Sequence, residues 1–345
     1  MTPDQSPLRL KSAGYCVFLI FLLSFFLLQT PCFGSASGPG ARAMALGGAF
    51  TAVADDGTAF YWNPAGLNRL KIGTFTPSIS GTSNIMDTAE VMDNSLSNDE
   101  LAETFLFSSH NILGLSTKYL GLNIYKDLNG LNETTKRTGK FRATSNQYLA
   151  LSLAGQFSDN LLWGISLKRY KGETIEFHYQ RDHPHDVTAK DRMNGNGLAA
   201  DLGFLYIRSD RLSFGLMLRN FDSNVRWGKQ TTQAEATEQL SKYQARLPKD
   251  IIIGIALRPA RSFQLTGDYQ INGDGEIGHN VLRFGLEKSL LFNSIILRTG
   301  IAKEGGTPGV VSGGLGLKLG PTVLDIAVVN SSTNPETFLT IGYKF

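Results

Sequence analysis

The chain has 345 residues, with 33 Lys and Arg against 30 Asp and Glu for a net charge of +3, and it carries 37 Gly, 21 Phe and 2 Cys. That near-neutral balance leaves no electrostatic footprint for nucleic acid. Two cysteines in so long a chain do not make a disulfide scaffold.

Arg9 and Lys11 precede an apolar run over residues 15–28, interrupted only by Ser24. About 14 residues fall short of the roughly 20 that a spanning helix needs. Pro31 breaks the run, and Gly34, Ser35 and Ala36 supply small residues for cleavage. Residues 1–36 are therefore predicted to be a secretory signal peptide, whose removal takes Cys16 and Cys32 with it. No later apolar run reaches the length of a spanning helix.

The next stretch, residues 40–67, is mostly apolar and small. Asp55 or Asp56 is predicted to N-cap a short helix. Pro64 disfavours helix at Asn63 and ends it. Gly47 and Gly48 allow close backbone approach. Backbone this irregular is tolerated at membrane depth only inside protein or beside a wet cavity. Residues 37–70 are thus predicted to form a plug, or hatch, within a barrel made by residues 71–345.

Short alternating segments then predict strands near 72–80, 114–126, 146–157, 160–180, 196–209, 211–221, 249–259, 261–272, 280–290, 292–303, 309–319, 321–330 and 336–345. A further strand near 103–110 brings the number to about 14, the even count that bacterial barrels favour. Residues around Asp159, Asp210 and Pro259 read as tight turns. Residues 81–102, 127–145, 181–195 and 222–246 read as long polar connections. Ile251, Ile253, Ile255 and Leu257 oppose small residues and Arg258, and Leu282, Phe284 and Leu286 oppose Arg283, Gly285 and Glu287. An apolar face against lipid and a mixed small and charged face toward a lumen explain that sorting. The chain closes on an alternating strand ending at Phe345. The fold class is an all-β transmembrane antiparallel barrel of about 14 strands with an N-terminal plug.

On the lumenal face, Asp268, Arg283, Glu287, Arg298 and Asp325 are predicted to form a charge network. Glu287 and Arg298 oppose each other if the turn centres on Phe292 and Asn293. His178, His183 and His185, with Asp182 and Asp186, cluster in sequence, but Pro184 and the absence of a second ligand group argue against a metal. No nucleophile elbow, phosphate loop or His-Glu-x-x-His motif occurs, so neither catalysis nor a cofactor is expected.

The run Gly40-Ala41-Arg42, Gly47-Gly48-Ala49-Phe50, Ala54-Asp55-Asp56 and Tyr61-Trp62-Asn63-Pro64-Ala65-Gly66-Leu67 resembles the start of the FadL-like outer-membrane barrel superfamily, especially its PorV/PorQ, UPF0164-type branch. Leu218-Arg219-Asn220, Phe284-Gly285-Leu286-Glu287 and Leu297-Arg298-Thr299-Gly300 add to the likeness. The resemblance implies a 14-strand barrel in the outer membrane of a diderm bacterium, with Asn63, Pro64 and Ala65 in its hatch. It implies a channel for small hydrophobic compounds, in contact with outer-membrane lipid, with Phe50, Phe60 and Trp62 lining an apolar path. The alternative it implies is a PorV-like shuttle or scaffold that meets a secretion-machinery protein.

Overall fold

The computed structural model describes residues 38–82, 102–134, 138–180, 183–233, 236–273, 280–305, 309–330 and 335–345. The expected signal peptide lies outside them. Three short turns come first: α1 (Ala41–Ala45), α2 (Ala59–Trp62) and a 3-10 turn at Pro64–Arg69. The strands are β1 (Thr74–Thr82), β2 (Ala102–Ser116), β3 (Leu120–Thr134), β4 (Thr138–Ser158), β5 (Leu161–Gln180), β6 (His183–Ser209), β7 (Leu212–Gln233), β8 (Ala236–Ala245), β9 (Asp250–Ala260), β10 (Phe263–Asn272), β11 (Val281–Leu290), β12 (Ile295–Glu304), β13 (Val310–Leu319), β14 (Thr322–Asn330) and β15 (Glu336–Lys344).

Neighbours pair antiparallel throughout. β1 pairs with both β2 and β15, and β6 with both β5 and β7, so the sheet closes on itself. Closure gives the wall partners on both sides at bilayer depth, which is what a sheet in hydrocarbon requires, while β8 pairs with β7 alone. β7 pairs with β9 along residues 212–219 and with β8 along residues 225–233. β8 and β9 are two lengths of one wall strand, parted at residues 246–249, and the barrel has 14 strands. Facing the parting, Asn220 of β7 takes a left-handed backbone, φ 51°. Its Nδ2 donates to the Pro248 carbonyl at 2.8 Å, and Ser223 Oγ accepts from the Leu247 amide at 2.9 Å. Side chains there replace missing ladder bonds.

The faces sort as lipid demands. On β9 and β11, Ile253 and Phe284 each keep 52% of their surface exposed, whereas inward Asp268 of β10 keeps 2%. A large apolar exterior over a polar interior inverts the arrangement of a water-soluble domain. The β11–β12 turn places Glu287 opposite Arg298, the register that a turn centred on residues 292 and 293 requires.

Three expectations need correction. Residues 114–126 are not one strand: Ser116 ends β2 and Leu120 begins β3, with Thr117 N bonded to the Leu120 carbonyl at 2.7 Å. Leu113 and Leu115 face outward at odd positions and Leu120 and Leu122 at even ones, so the alternation changes phase across a turn that has no Gly or Pro to mark it. The expected turn at Pro259 falls two residues later, because β9 continues to Ala260. Much of 127–145, 181–195 and 222–246 is strand rather than loop. β6 spans 27 residues and β5 spans 20, against the 9–11 or so that cross a bilayer. Beyond the lipid both faces meet water, so alternation fades while the ladder of hydrogen bonds continues. The wall is tall over β3 to β8 and short over β9 to β15.

Candidate functional site

Residues 38–70 lie against the inward faces of the barrel strands, and their fit begins with glycine. Three cross-strand glycine pairs, Gly164 with Gly203, Gly215 with Gly254 and Gly285 with Gly300, form dents in the wall. A Cβ on Gly164 would stand 2.3 Å from Ala65 N, and one on Gly203 would stand 2.1 Å from Asn63 Oδ1. The other pairs receive Thr51 and Ala52, and Leu46 and Gly47, just as closely. Gly47 and Gly48 both take positive φ, the conformation that glycine adopts without a steric penalty.

Polar wall side chains then hold the backbone of this inner segment. Asp268 Oδ2 accepts from the amides of Phe50 (3.0 Å) and Thr51 (2.9 Å). Ser312 Oγ accepts from Gly47 N at 3.0 Å, and Thr340 Oγ1 from Ala41 N at 2.8 Å. Asn63 is fully buried. Its Nδ2 donates to the carbonyls of Thr51 and Phe204 at 2.9 Å each, and its Oδ1 accepts from Ala65 N at 3.1 Å, capping the 3-10 turn. Asn63 is extended, as its place before Pro64 requires.

The inward positions of β5 measure depth. Leu162 borders a cavity of 680 Å³, Gly164 touches Pro64 and Ala65, Ser166 Oγ donates to the Phe60 carbonyl at 3.2 Å, and Lys168 borders a second cavity of 180 Å³. The segment therefore lies between two cavities.

The larger cavity, at the short-turn end, is ringed by charge. Arg298 donates to Glu287 (2.7 Å) and Asp325 (2.6 Å), and Glu287 also accepts from Arg42 Nε at 3.1 Å. Arg42 also pairs with Asp55, which Arg69 and Arg258 approach at 3.6 and 3.7 Å. Burial pushes the Asp55 carboxyl up, but those three guanidinium groups outweigh it and hold the group well below the usual carboxylate range. Neither aspartate N-caps α2. Thr58 occupies that position, Asp56 Oδ1 accepts from Thr58 N at 2.9 Å just ahead of the helix, and Asp55 is taken by Arg42.

The smaller cavity is walled by rings. Aromatic contacts run from Phe50 to Trp62 and Tyr61 on the segment, then to Tyr125, Tyr148, Tyr170 and Trp227 on the wall, with centroids 5.2–6.2 Å apart. Arg219 lies over Tyr61 at 4.4 Å and Lys168 over Tyr148 at 5.5 Å. Lys168 Nζ reaches Asp201 at 2.6 Å and Asn220 at 2.7 Å.

The five wall charges fall into two groups. Glu287, Arg298 and Asp325 join one network, while Asp268 serves the segment's amides and Arg283 donates to Gln270 at 2.7 Å. Asp268 and Arg283 are register partners, yet the backbone amides of the segment occupy the carboxylate. Phe50, Phe60 and Trp62 are buried within or beside the segment, and Trp62 Nε1 donates to the Pro39 carbonyl at 2.9 Å. Arg42, Tyr61 and Arg219 appear in the sequence analysis without a site role, and Tyr125, Asp127, Tyr148 and Lys168 are not singled out there. Arg42 and Tyr61 lie on α1 and α2, and the others share an inward alternate strand position that becomes a cluster only when register is known. His178 stands on β5 with its donor atom within 4.8 Å of those of Glu176 and Asp191. Arg142, Lys140 and Lys229 already engage those carboxylates. The side chains of His183, His185, Asp182 and Asp186 lie outside the described residues.

No family model and no curated sequence matches the chain. Among solved structures it is similar to the toluene transporter TbuX of Ralstonia pickettii, with a TM-score of 0.67 and 13% identity over 90% of this chain and 99% of that one. It is similar to a Pseudomonas aeruginosa FadL homologue, with a TM-score of 0.61 and 9% identity over 92% and 99%. It is also similar to the monoaromatic hydrocarbon channel CymD, with a TM-score of 0.61 and 12% identity over 89% and 98%. The likeness is one of fold, a closed antiparallel β-barrel.

Proposed function

We propose that the protein is an outer-membrane channel for small hydrophobic compounds, corked by residues 37–70. The observation that carries this reading is the seating of that segment in three glycine-lined dents, between two cavities, inside a barrel with an oily exterior. A wall shaped to receive irregular backbone serves a cork better than it serves an open pore. Asn63, Pro64 and Ala65 form the hatch, and Phe50, Phe60 and Trp62 give its apolar surface. A compound passes by local displacement of the hatch, since the pairs of Arg42 with Glu287 and of Asp55 with Arg258 tie the rest of the segment to the wall. The parting of β8 and β9 is a loosened stretch of wall beside the smaller cavity, because Asn220 borders both. Residues 1–36 serve as the export signal. The structural neighbours TbuX, a toluene transporter, and CymD, a monoaromatic hydrocarbon channel, support hydrophobic cargo here. The narrower placing with the PorV/PorQ, UPF0164-type branch, and with it a secretion partner, rests on the sequence of residues 40–67 alone.

The test is uptake of labelled toluene by diderm cells carrying the protein in their outer membrane, against the same cells without it. Faster uptake is expected, with little ion conductance when the purified protein is placed in planar bilayers. Gly300→Val places side-chain atoms where Gly47 N lies and is expected to unseat the segment and raise conductance at least tenfold. Unchanged toluene uptake would refute the channel, and a silent Gly300→Val would refute the cork.

A further inference from the structure

The smaller cavity has more polar lining than a hydrocarbon needs. Its volume is 180 Å³, near the size of the roughly 150 Å³ engineered apolar cavity that accepts benzene. One aromatic ring fits it, and Tyr61, Tyr125 and Tyr148 supply faces and edges to pack on. The same space is bordered by Asp127, Asn129, Asn146, Lys168, Asp201 and Arg219. Most of these are already engaged. Lys168 and Asp201 hold each other, and Arg219 stacks on Tyr61 and approaches Asp250 at 3.5 Å.

Asp127 differs. It is only 7% exposed, and Asn146 (2.9 Å) and Asn129 (3.3 Å) both donate to its Oδ2. The carboxylate also meets its own backbone amide, and among the described residues no Lys or Arg pairs with it and no side chain other than Asn129 and Asn146 donates to it. A carboxylate bordering a ring-sized space keeps lone pairs for a further donor. A bare hydrocarbon would displace water from it and return nothing, which is costly for a charged group.

From this we infer that the cavity selects single-ring aromatics bearing a hydroxyl group, phenol or catechol in kind, over unsubstituted hydrocarbons. The ring lies among the three tyrosines, and the hydroxyl donates to the Asp127 carboxylate. A carboxylated ring would set its charge against Asp127 and gain nothing there. This rests on the channel reading and names its cargo.

The test is ligand-observed NMR titration of the mature protein in lipid nanodiscs, with empty nanodiscs as the baseline, using phenol, catechol, toluene and benzoate. Phenol and catechol are expected to bind at least tenfold more tightly than toluene, and benzoate no better than toluene. Asp127→Asn keeps the size of the side chain and is expected to bring phenol and toluene within about twofold of each other, by weakening phenol and by removing the charge whose desolvation penalises toluene. Asn129→Phe fills the space from a half-buried position and is expected to weaken all three uncharged ligands. Should Asp127→Asn misfold, Asn129→Phe alone still decides whether this cavity is the site. Equal binding of phenol and toluene, tightest binding of benzoate, an unaffected Asp127→Asn, or phenol binding that survives Asn129→Phe would each overturn the proposal. If toluene uptake by cells persists while phenol preference is absent, only this inference fails. If uptake is also absent, the channel reading fails with it.

Discussion

A single carboxylate oxygen of Asp268 holds two consecutive amides, those of Phe50 and Thr51, deep in the barrel. Buried amides that lose their acceptor cost about 1–3 kcal/mol each. Asp268→Ala is therefore expected to destabilise the protein by roughly 2–6 kcal/mol in denaturant titrations in detergent, whereas Asp268→Asn, which keeps an acceptor oxygen, recovers most of the loss. Equal losses from the two variants would remove the amide-anchor account. At this scale the sequence was informative about residue type and silent about partners. Asp268, Glu287 and Arg298 are legible as inward charges because each sits opposite an apolar neighbour on its strand. That Asp268 serves the inner segment rather than Arg283 depends on where Phe50 lies in space, and no local pattern carries that. Tyr125, Tyr148 and Tyr170 are alternate residues on three strands, and they become a ladder only through register.

Among the elements, β4 and β5 pair from the short-turn end to Thr138 and Gln180, well past the length a bilayer needs. Their outer part is held by backbone ladder and by ion pairs such as Arg142 with Glu176. Partly exposed pairs of this kind contribute roughly 0–1 kcal/mol. Removing residues 139–144 together with their partners 174–179 is expected to shift the melting temperature in detergent by less than about 5 °C, since the lost stretch contributes so little. A fall of 15 °C or more would mean that the palisade supports the barrel. These outer lengths were illegible as strand because alternation reports lipid on one side, and here water wets both. The strands within the bilayer, β9 to β15, were legible for the opposite reason. Most of their Ile, Leu and Phe residues face outward and alternate with small and charged residues, while Ile252, Ile296 and Phe338 turn inward. The turn at Thr117, Lys118 and Tyr119 went unseen because no Gly or Pro marks it, although the outward leucines pass from odd to even positions across it.

Over the whole molecule, the exposed belt of Ile, Leu and Phe is far larger than a soluble chain displays. The signal-free protein is expected to aggregate in plain buffer, and in detergent to stay dispersed with a strand-dominated far-ultraviolet dichroism spectrum. A monodisperse helical species in plain buffer would be incompatible with the barrel. One feature of the interior also bears on the order of assembly. The segment that comes first in the described chain is fastened by the strands that come last: Ala41 bonds to Thr340, 299 positions away, and Gly47 to Ser312. Contacts so distant along the chain form late, because their loop-closure entropy must be met first. Residues 41–47 thus cannot finish docking until β11 to β15 have been laid down and β15 has met β1. The earliest described part of the chain waits for the latest, so a chain truncated before β15 is expected to lose the seating of its beginning as well as its end.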